Sequence, residues 1–284
     1  MSYWVVVIAK NAADHISTTI QSLLDQTTLP TKIIVVNDGS SDNTREILTK
    51  YALKYRLLQL VDLPDKGFDI RRVPSNLNLA LDSARESSDE YLMISGDDCV
   101  YPPSYVQSII ERMDEDHRIA VASGHQSQSG LRTEERTPSG SGRMVRINFL
   151  KLVGFRFPIR AGWEAWLLYR AEQEGYRSQL FADLAYAHVR PRGTSHHFTY
   201  WGAAMYTLGY HPLYALGRVA RNLVRQASIK SALGLLAGYL IAVLGSSDPF
   251  IVPFDPTLRK YVRRRQGQEI SRVVSSVLSI LHLV

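Results

Sequence analysis

Two adjacent carboxylates stand out first. In EYLMISGDDCVYP, residues 90–102, the apolar run Tyr91–Ile94 leads through Ser95-Gly96 directly into Asp97 and Asp98. Like charges side by side at a strand end repel unless a cation sits on them. One reading is a solvated turn, because Asp and Gly are ordinary turn residues; the other is a divalent metal bridging protein and substrate. A second carboxylate, Asp38, ends the run KIIVVN and precedes Gly39. Such a group can accept hydrogen bonds from a base N–H or a ribose hydroxyl, and Gly39 allows a sharp backbone turn. Glu164 stands in the first turn of a helix-like stretch, GWEAWLLYRAEQEGY, where the helix dipole alone would favour it. His188-Val189-Arg190 offers a metal- or diphosphate-binding imidazole and a guanidinium suited to phosphate.

These groups need elements to position them. In the first half, runs rich in β-branched residues (Tyr3–Ala9, Lys32–Asn37, Leu57–Leu63, Glu90–Ile94, Arg118–Ser123) alternate with helical patterns over about 14–26, 43–55, 76–85 and 103–115. Strands alternating with 10–15-residue helices imply βαβ units and a mainly parallel, Rossmann-like sheet. Ligands bind such sheets at the carboxyl ends of the strands, where Asp38, Asp97 and Asp98 all lie. Residues 124–143 are long and polar, either a lid or an insertion.

Composition bounds the rest. The 284 residues suffice for one large domain or a domain with an appendage. A single cysteine, Cys99, excludes an internal disulfide framework. Nothing resembles a secretory signal. The formal charge of +6 is uneven: residues 199–284 hold 10 Lys/Arg and 3 Asp/Glu, a net of +7, which leaves −1 for residues 1–198. Ser231–Ser247 is 17 residues without charge, and basic and aromatic residues flank it. That tail predicts a membrane-associated helical region over 198–284, spanning the bilayer or lying in its plane. The implied location is the cytoplasmic face of the cell membrane. Nucleic acid is not expected, because the basic residues flank apolar runs rather than lining a polar groove. The absence of Gly-x-Gly-x-x-Gly argues against a dehydrogenase.

The stretch VVVIAKNAADHISTTIQSLLDQTTLPTKIIVVNDGSSDNTREIL resembles the opening of the family-2 glycosyltransferases. The resemblance runs from Tyr3 to about Arg192 and implies the GT-A fold, a nucleotide-sugar-binding α/β sheet, over residues 1–197. It is similar to membrane-associated members of the polyprenyl-phosphate mannose synthase or minimal cellulose-synthase type, archaeal mannosyltransferases among them. The resemblance implies that Asp38 contacts the nucleoside and that Ala9, Lys10 and Asn11 line the same pocket, although Ala9-Lys10-Asn11 departs from the usual turn. Arg71 and Arg72 stand where the family places a basic residue near the nucleotide. LMISGDDCVYP resembles the family's Asp-x-Asp metal motif, with Ser95 in place of the leading Asp. Asp98 is then the carboxylate for Mn²⁺ or Mg²⁺, with His188 as a further candidate ligand and Asp97 near the ribose.

GFRFPIRAGWEAWLLYRAEQEGY resembles the third family motif, which assigns Glu164 as general base. Trp163 stands where a second acid is usual. HHFTYWG faintly resembles the acceptor-side Gln-x-x-Arg-Trp motif, which makes His197 and Trp201 acceptor candidates, with Trp163 beside Glu164 a further one. The implied reaction is inverting sugar transfer from a nucleoside-diphosphate sugar, GDP-mannose first, to a lipid-linked acceptor. The alternatives are a non-catalytic adaptor that keeps the fold and a UDP-sugar-dependent transferase for cell-surface polysaccharide. A nucleotidyltransferase should carry a Gly-rich basic loop after the first strand, which IAKNAADHIS lacks.

Overall fold

A computed structural model of the chain describes residues 2–127, 137–190, 198–226 and 229–281. The chain divides into two compact units: Met1–Pro158 with Glu174–Arg192, and Ile159–Gln173 with Gly193–Val284.

The first unit is a sheet covered by helices. Its strands are β1 (Tyr3–Ala9), β2 (Lys32–Asn37), β3 (Leu58–Asp62), β4 (Tyr91–Gly96), β5 (Cys99–Val100), β6 (Ile119–Ser127), β7 (Arg143–Arg146) and β8 (Arg177–His188). They are ordered β3-β2-β1-β4-β7-β6-β8-β5. β3, β2, β1 and β4 run parallel, as does β8 beside β6, while β7 is antiparallel to β4 and β6, and β5 to β8. The sheet is therefore mixed and mostly parallel, consistent with the expected α/β class.

Helices α1 (Ile16–Leu24), α2 (Thr44–Lys54), α3 (Val73–Ser83), α4 (Tyr105–Glu115) and α5 (Ile147–Leu152) complete this unit. β1 is apolar throughout because both faces of a central parallel strand are covered. Alternate residues Tyr3, Val5, Val7 and Ala9 join one core with Ile16, Ile20 and Leu23 of α1 and Val106, Ile109, Ile110 and Met113 of α4. The i, i+4, i+7 spacing on α1 is what gives that helix a single apolar face. Register then positions the site. Ala9 lies opposite Asn37, and Ile8 opposite Gly96, so β1, β2 and β4 end level and Lys10, Asp38 and Asp97 follow from neighbouring strand ends.

The second unit is helical: α6 (Trp163–Gln173), α7 (Phe198–Thr207), α8 (Pro212–Gln226), α9 (Ile229–Leu244) and α10 (Pro256–Leu281). α7 and α9 meet backbone to backbone at glycines. A Cβ on Gly202 would lie 2.1 Å from the Leu235 carbonyl oxygen, and one on Gly238 1.8 Å from that of Thr199. Only glycine permits this approach.

The expectation of a C-terminal membrane-associated region, and with it a place at the cytoplasmic face of the cell membrane, is overturned. Among the described residues no helix is long and apolar enough to cross a membrane. Most of the uncharged segment lies in α9, which begins with Ile229-Lys230 and is 16 residues long, or about 24 Å at 1.5 Å per residue, against a hydrocarbon core of about 30 Å. Its small and apolar side at Ser231, Ala232, Leu235, Gly238 and Ala242 is buried, in part against α7. The longer α10 carries Arg259, Lys260, Arg263, Arg264 and Arg265 in its first turns.

Candidate functional site

The turn after β1 and the loop after β2 are knitted together by short polar side chains. Backbone N–H groups of Asn11, Ala12 and Ala13 donate to Ser40 Oγ (2.9 Å), Thr44 Oγ1 (2.7 Å) and Asp42 Oδ2 (3.1 Å). Asn11, at φ +49°, returns a bond by accepting from the Ser41 N–H at 2.8 Å. Asn is among the few residues that tolerate this left-handed conformation. Asn37 donates to Asp62 and accepts from Ser40. Much of NDGSSDNT thus builds the loop rather than facing a ligand.

Lys10 is the central tether. Its ammonium donates to the carbonyls of Asp38 and Gly39, both at 2.8 Å, and to Asp65 Oδ1 at 2.9 Å. Its backbone N–H donates to Asp97 Oδ2 at 3.0 Å. Lys10 therefore joins the β2 end, the loop after β3 and the β4 end. Gly39 adopts φ +64°, and the Asp65 backbone beside it leaves no room for a side chain.

Of the two arginines expected near the nucleotide, Arg72 reaches Asp38. Its guanidinium grips the buried carboxylate through Nη2–Oδ2 at 2.9 Å and Nε–Oδ1 at 3.1 Å. Arg71 pairs with Asp69 at 2.9 Å. Asp38 is thus a fixed, charge-compensated acceptor in this state, with Arg72 already on it.

The acidic pair is assembled by pairing that sequence patterns do not display. Antiparallel β5 and β8 set Cys99 opposite His188, and the Val189 N–H donates to the Asp98 carbonyl at 2.8 Å. His188 Nδ1 then lies 3.3 Å from Asp98 Oδ2, and His188 Nε2 lies 3.6 Å from Cys99 Sγ. Burial alone would lower the His188 pKa, but its bonds to Asp98 and Cys99 raise it to about 9. Burial would raise Asp98, yet the His188 contact leaves it below the usual carboxylate range. Asp97 is pushed up by burial, which outweighs the attraction of Arg190. Arg190, read from the sequence as a guanidinium suited to phosphate, ion-pairs with Asp97 and approaches Asp98 Oδ2 to 3.6 Å. Below the pair, Thr19 Oγ1 donates to the Asp97 carbonyl at 2.8 Å, and Ser95, in the place of the leading Asp, shares a 2.9 Å bond with Tyr101.

The donor set fits a divalent cation. Among the described residues Asp98, Cys99 and His188 bring a carboxylate oxygen, a thiol and an imidazole nitrogen within 4.8 Å of one another. Mn²⁺ or Mg²⁺ would take the oxygen and nitrogen. The buried thiol of Cys99 suits such hard cations poorly and acts here as a neighbour of the imidazole.

The remaining candidates lie in the second unit or outside the described residues. Glu164 is exposed in the first turn of α6, while Trp163 beside it is buried. Tyr200 accepts from the Gly162 N–H at 3.4 Å; burial and the Glu164 charge both raise its pKa. Trp201 is exposed on α7, with its ring edge-to-face against Phe198. His197 lies outside the described residues.

Comparison with known proteins bears on this arrangement. The family described as Glycosyl transferase family 2 matches residues 4–172. The uncharacterized glycosyltransferase YibD of Escherichia coli is 31% identical over 117 residues, which is 41% of this chain and 32% of that protein. The uncharacterized glycosyltransferase MG025 of Mycoplasma genitalium is 38% identical over 55 residues, 19% of this chain and 18% of that one. The match therefore spans less than a third of either curated relative. Among solved structures, S. aureus TarS 1-349 has 19% identity and a TM-score of 0.54, covering 84% of this chain and 71% of that one. The mannosyltransferase PcManGT from Pyrobaculum calidifontis, in complex with GDP-Man and Mn²⁺, has 17% identity and a TM-score of 0.58, with coverage of 87% and 76%. At these identities the likeness concerns the fold.

Proposed function

The chain belongs to glycosyl transferase family 2, and from that premise we propose that it transfers a sugar from a nucleoside-diphosphate donor, with inversion, to a hydroxyl-bearing acceptor. The observation that carries this reading is the row of strand-end carboxylates, Asp38, Asp97 and Asp98, with His188 against the last of them. Asp38 receives hydrogen bonds from the nucleoside. Asp97 lies towards the ribose. Asp98 and His188 would hold a divalent cation, which when bound neutralises charge on the departing diphosphate. Glu164 takes the proton from the acceptor hydroxyl as that oxygen attacks the anomeric carbon. The bond from that carbon to the diphosphate oxygen breaks, and the diphosphate leaves with the electron pair. Trp163, His197 and Trp201 are the acceptor-side candidates, with Ala9, Lys10, Asn11 and Arg71 shaping the donor side.

GDP-mannose with Mn²⁺ is the donor pair to test first, supported by the complex named for PcManGT. UDP-sugars come second, since TarS is described in complex with UDP-GlcNAc. The lipid-linked acceptor rested on the tail's membrane reading and loses that support. The test is calorimetric titration with GDP, UDP and dTDP, each with and without Mn²⁺. Metal-dependent binding of one nucleotide that vanishes in Asp98→Ala supports the reading. No binding of any of them refutes it and favours a fold kept without turnover.

A further inference from the structure

Arg190 stands where a cation and a diphosphate would both have to come. One nitrogen ion-pairs with Asp97 Oδ1, and Nε lies 3.6 Å from Asp98 Oδ2. That same Oδ2 faces His188 Nδ1 at 3.3 Å. A single guanidinium therefore spans the two carboxylates and covers the oxygen a cation would need.

The two carboxylates are fixed and Arg190 is the member able to move. Asp97 is pinned by the Lys10 N–H on Oδ2 (3.0 Å) and by Thr19 on its carbonyl. Asp98 is held at its main chain by the Val189 N–H and at its carboxylate by His188. Their side chains are only 11% and 16% exposed, whereas that of Arg190 is 43% exposed. It can turn away without opening the core. Two buried carboxylates without a counter-charge would be strongly destabilising, and Arg190 supplies one to both.

Building on the donor-binding reading above, we propose that Arg190 is an exchangeable counter-ion: it neutralises the Asp97–Asp98 pair while the site is empty, yields Asp98 to the incoming cation, and turns its guanidinium onto the donor's diphosphate oxygens. A guanidinium matches phosphate oxygens through two parallel N–H bonds, so the exchange replaces one ion pair by another.

The proposal predicts effects of opposite sign. Binding of Mn²⁺ alone, read from the loss of the free-ion paramagnetic resonance signal, should be about tenfold tighter in Arg190→Gln than in the unaltered protein, equivalent to about 1.4 kcal/mol. With Mn²⁺ saturating, the nucleoside diphosphate selected above should bind at least fivefold more weakly to Arg190→Gln. Arg190→Lys keeps the competing charge without the fork, so Mn²⁺ affinity should stay within about twofold of the unaltered protein while the diphosphate still binds more weakly. Thermal unfolding of each variant establishes that it is folded. Equal or weaker Mn²⁺ binding in folded Arg190→Gln, with nucleotide binding to the unaltered protein intact, overturns the counter-ion role alone. Failure of both the unaltered protein and Arg190→Gln to bind Mn²⁺ or any nucleotide overturns it together with the donor-binding reading.

Discussion

Replacing Gly39 by Ala should damage the donor side by a mechanism that can be isolated. An added Cβ would lie 2.4 Å from Asp65 Cα, 2.5 Å from Asp65 N and 2.6 Å from Pro64 C, all backbone atoms. Ordinary carbon contacts lie at about 3.5–4.0 Å, so the loop after β3 must retreat by about 1 Å. That retreat pulls Asp65 from the Lys10 ammonium. The left-handed backbone at φ +64° adds about 1 kcal/mol for any residue with a Cβ and overpacking about 1–3 kcal/mol, while the solvent-screened Lys10–Asp65 pair adds little. The sum is about 2–4 kcal/mol. Gly67 supplies the control: it adopts φ +73° with nothing within 4 Å of its Cβ position, so Gly67→Ala should lose only the backbone part, about 1 kcal/mol. Urea unfolding followed by tryptophan fluorescence measures both, and nucleotide titration shows whether Asp38 has moved with the loop. Equal losses for the two variants would refute the steric account of Gly39.

Other changes separate structure from chemistry. Asn78 donates to the Phe157 carbonyl and accepts from its N–H, both at 2.8 Å and buried; Asn78→Ala should cost about 2–4 kcal/mol by stranding two backbone groups, seen as a lower unfolding midpoint. Gly238→Ala should force α7 and α9 apart and lower the thermal midpoint of the helical unit, since its Cβ would sit 1.8 Å from the Thr199 carbonyl oxygen. Unchanged stability there would contradict the packing described. Glu164→Gln should lower kcat by roughly 10²–10⁴-fold while leaving nucleotide affinity within about twofold; lost affinity with retained turnover would remove Glu164 from the role of base.

How much of this was legible in the sequence differs by element. The strands β1, β2 and β4 are runs of β-branched and aromatic residues, and α1 and α4 show one apolar stripe each, so local pattern suffices. Boundaries moved by a few residues, as where α3 begins at Val73 rather than near residue 76, because Pro74 sits in the first turn, where its missing N–H does no harm. β5, β7 and β8 escaped. β5 has two residues and exists through its pairing with β8. β7 begins with Arg143, which sequence would place in solvent; it is buried because the Ser139 carbonyl accepts from its Nε at 2.8 Å. β8 alternates weakly and contains Asp183, drawn to Arg112 of α4. Since β5 and β8 are what bring His188 to Asp98, that contact could not be foreseen from spacing. Nor could the bridging position of Arg190.

Lys10 shows why departure from a family pattern need not mean decay. By sequence it replaces a small or neutral turn residue and is expected to line the nucleoside pocket with Ala9 and Asn11. Its ammonium instead meets two main-chain carbonyls and Asp65, which occupies all three of its donors. The charge is answered within the protein, and the side chain is 12% exposed. Asp65 lies outside the family motif quoted for the β2 end, so substitution and compensation come from separate segments. Arg190 is a positive charge placed to meet a diphosphate: its guanidinium is more exposed than the Lys10 side chain and lies on the acidic pair itself. The exchange of partners proposed for Arg190 follows from this division: one cation holds the loops that frame the site, and the other is released when the site fills.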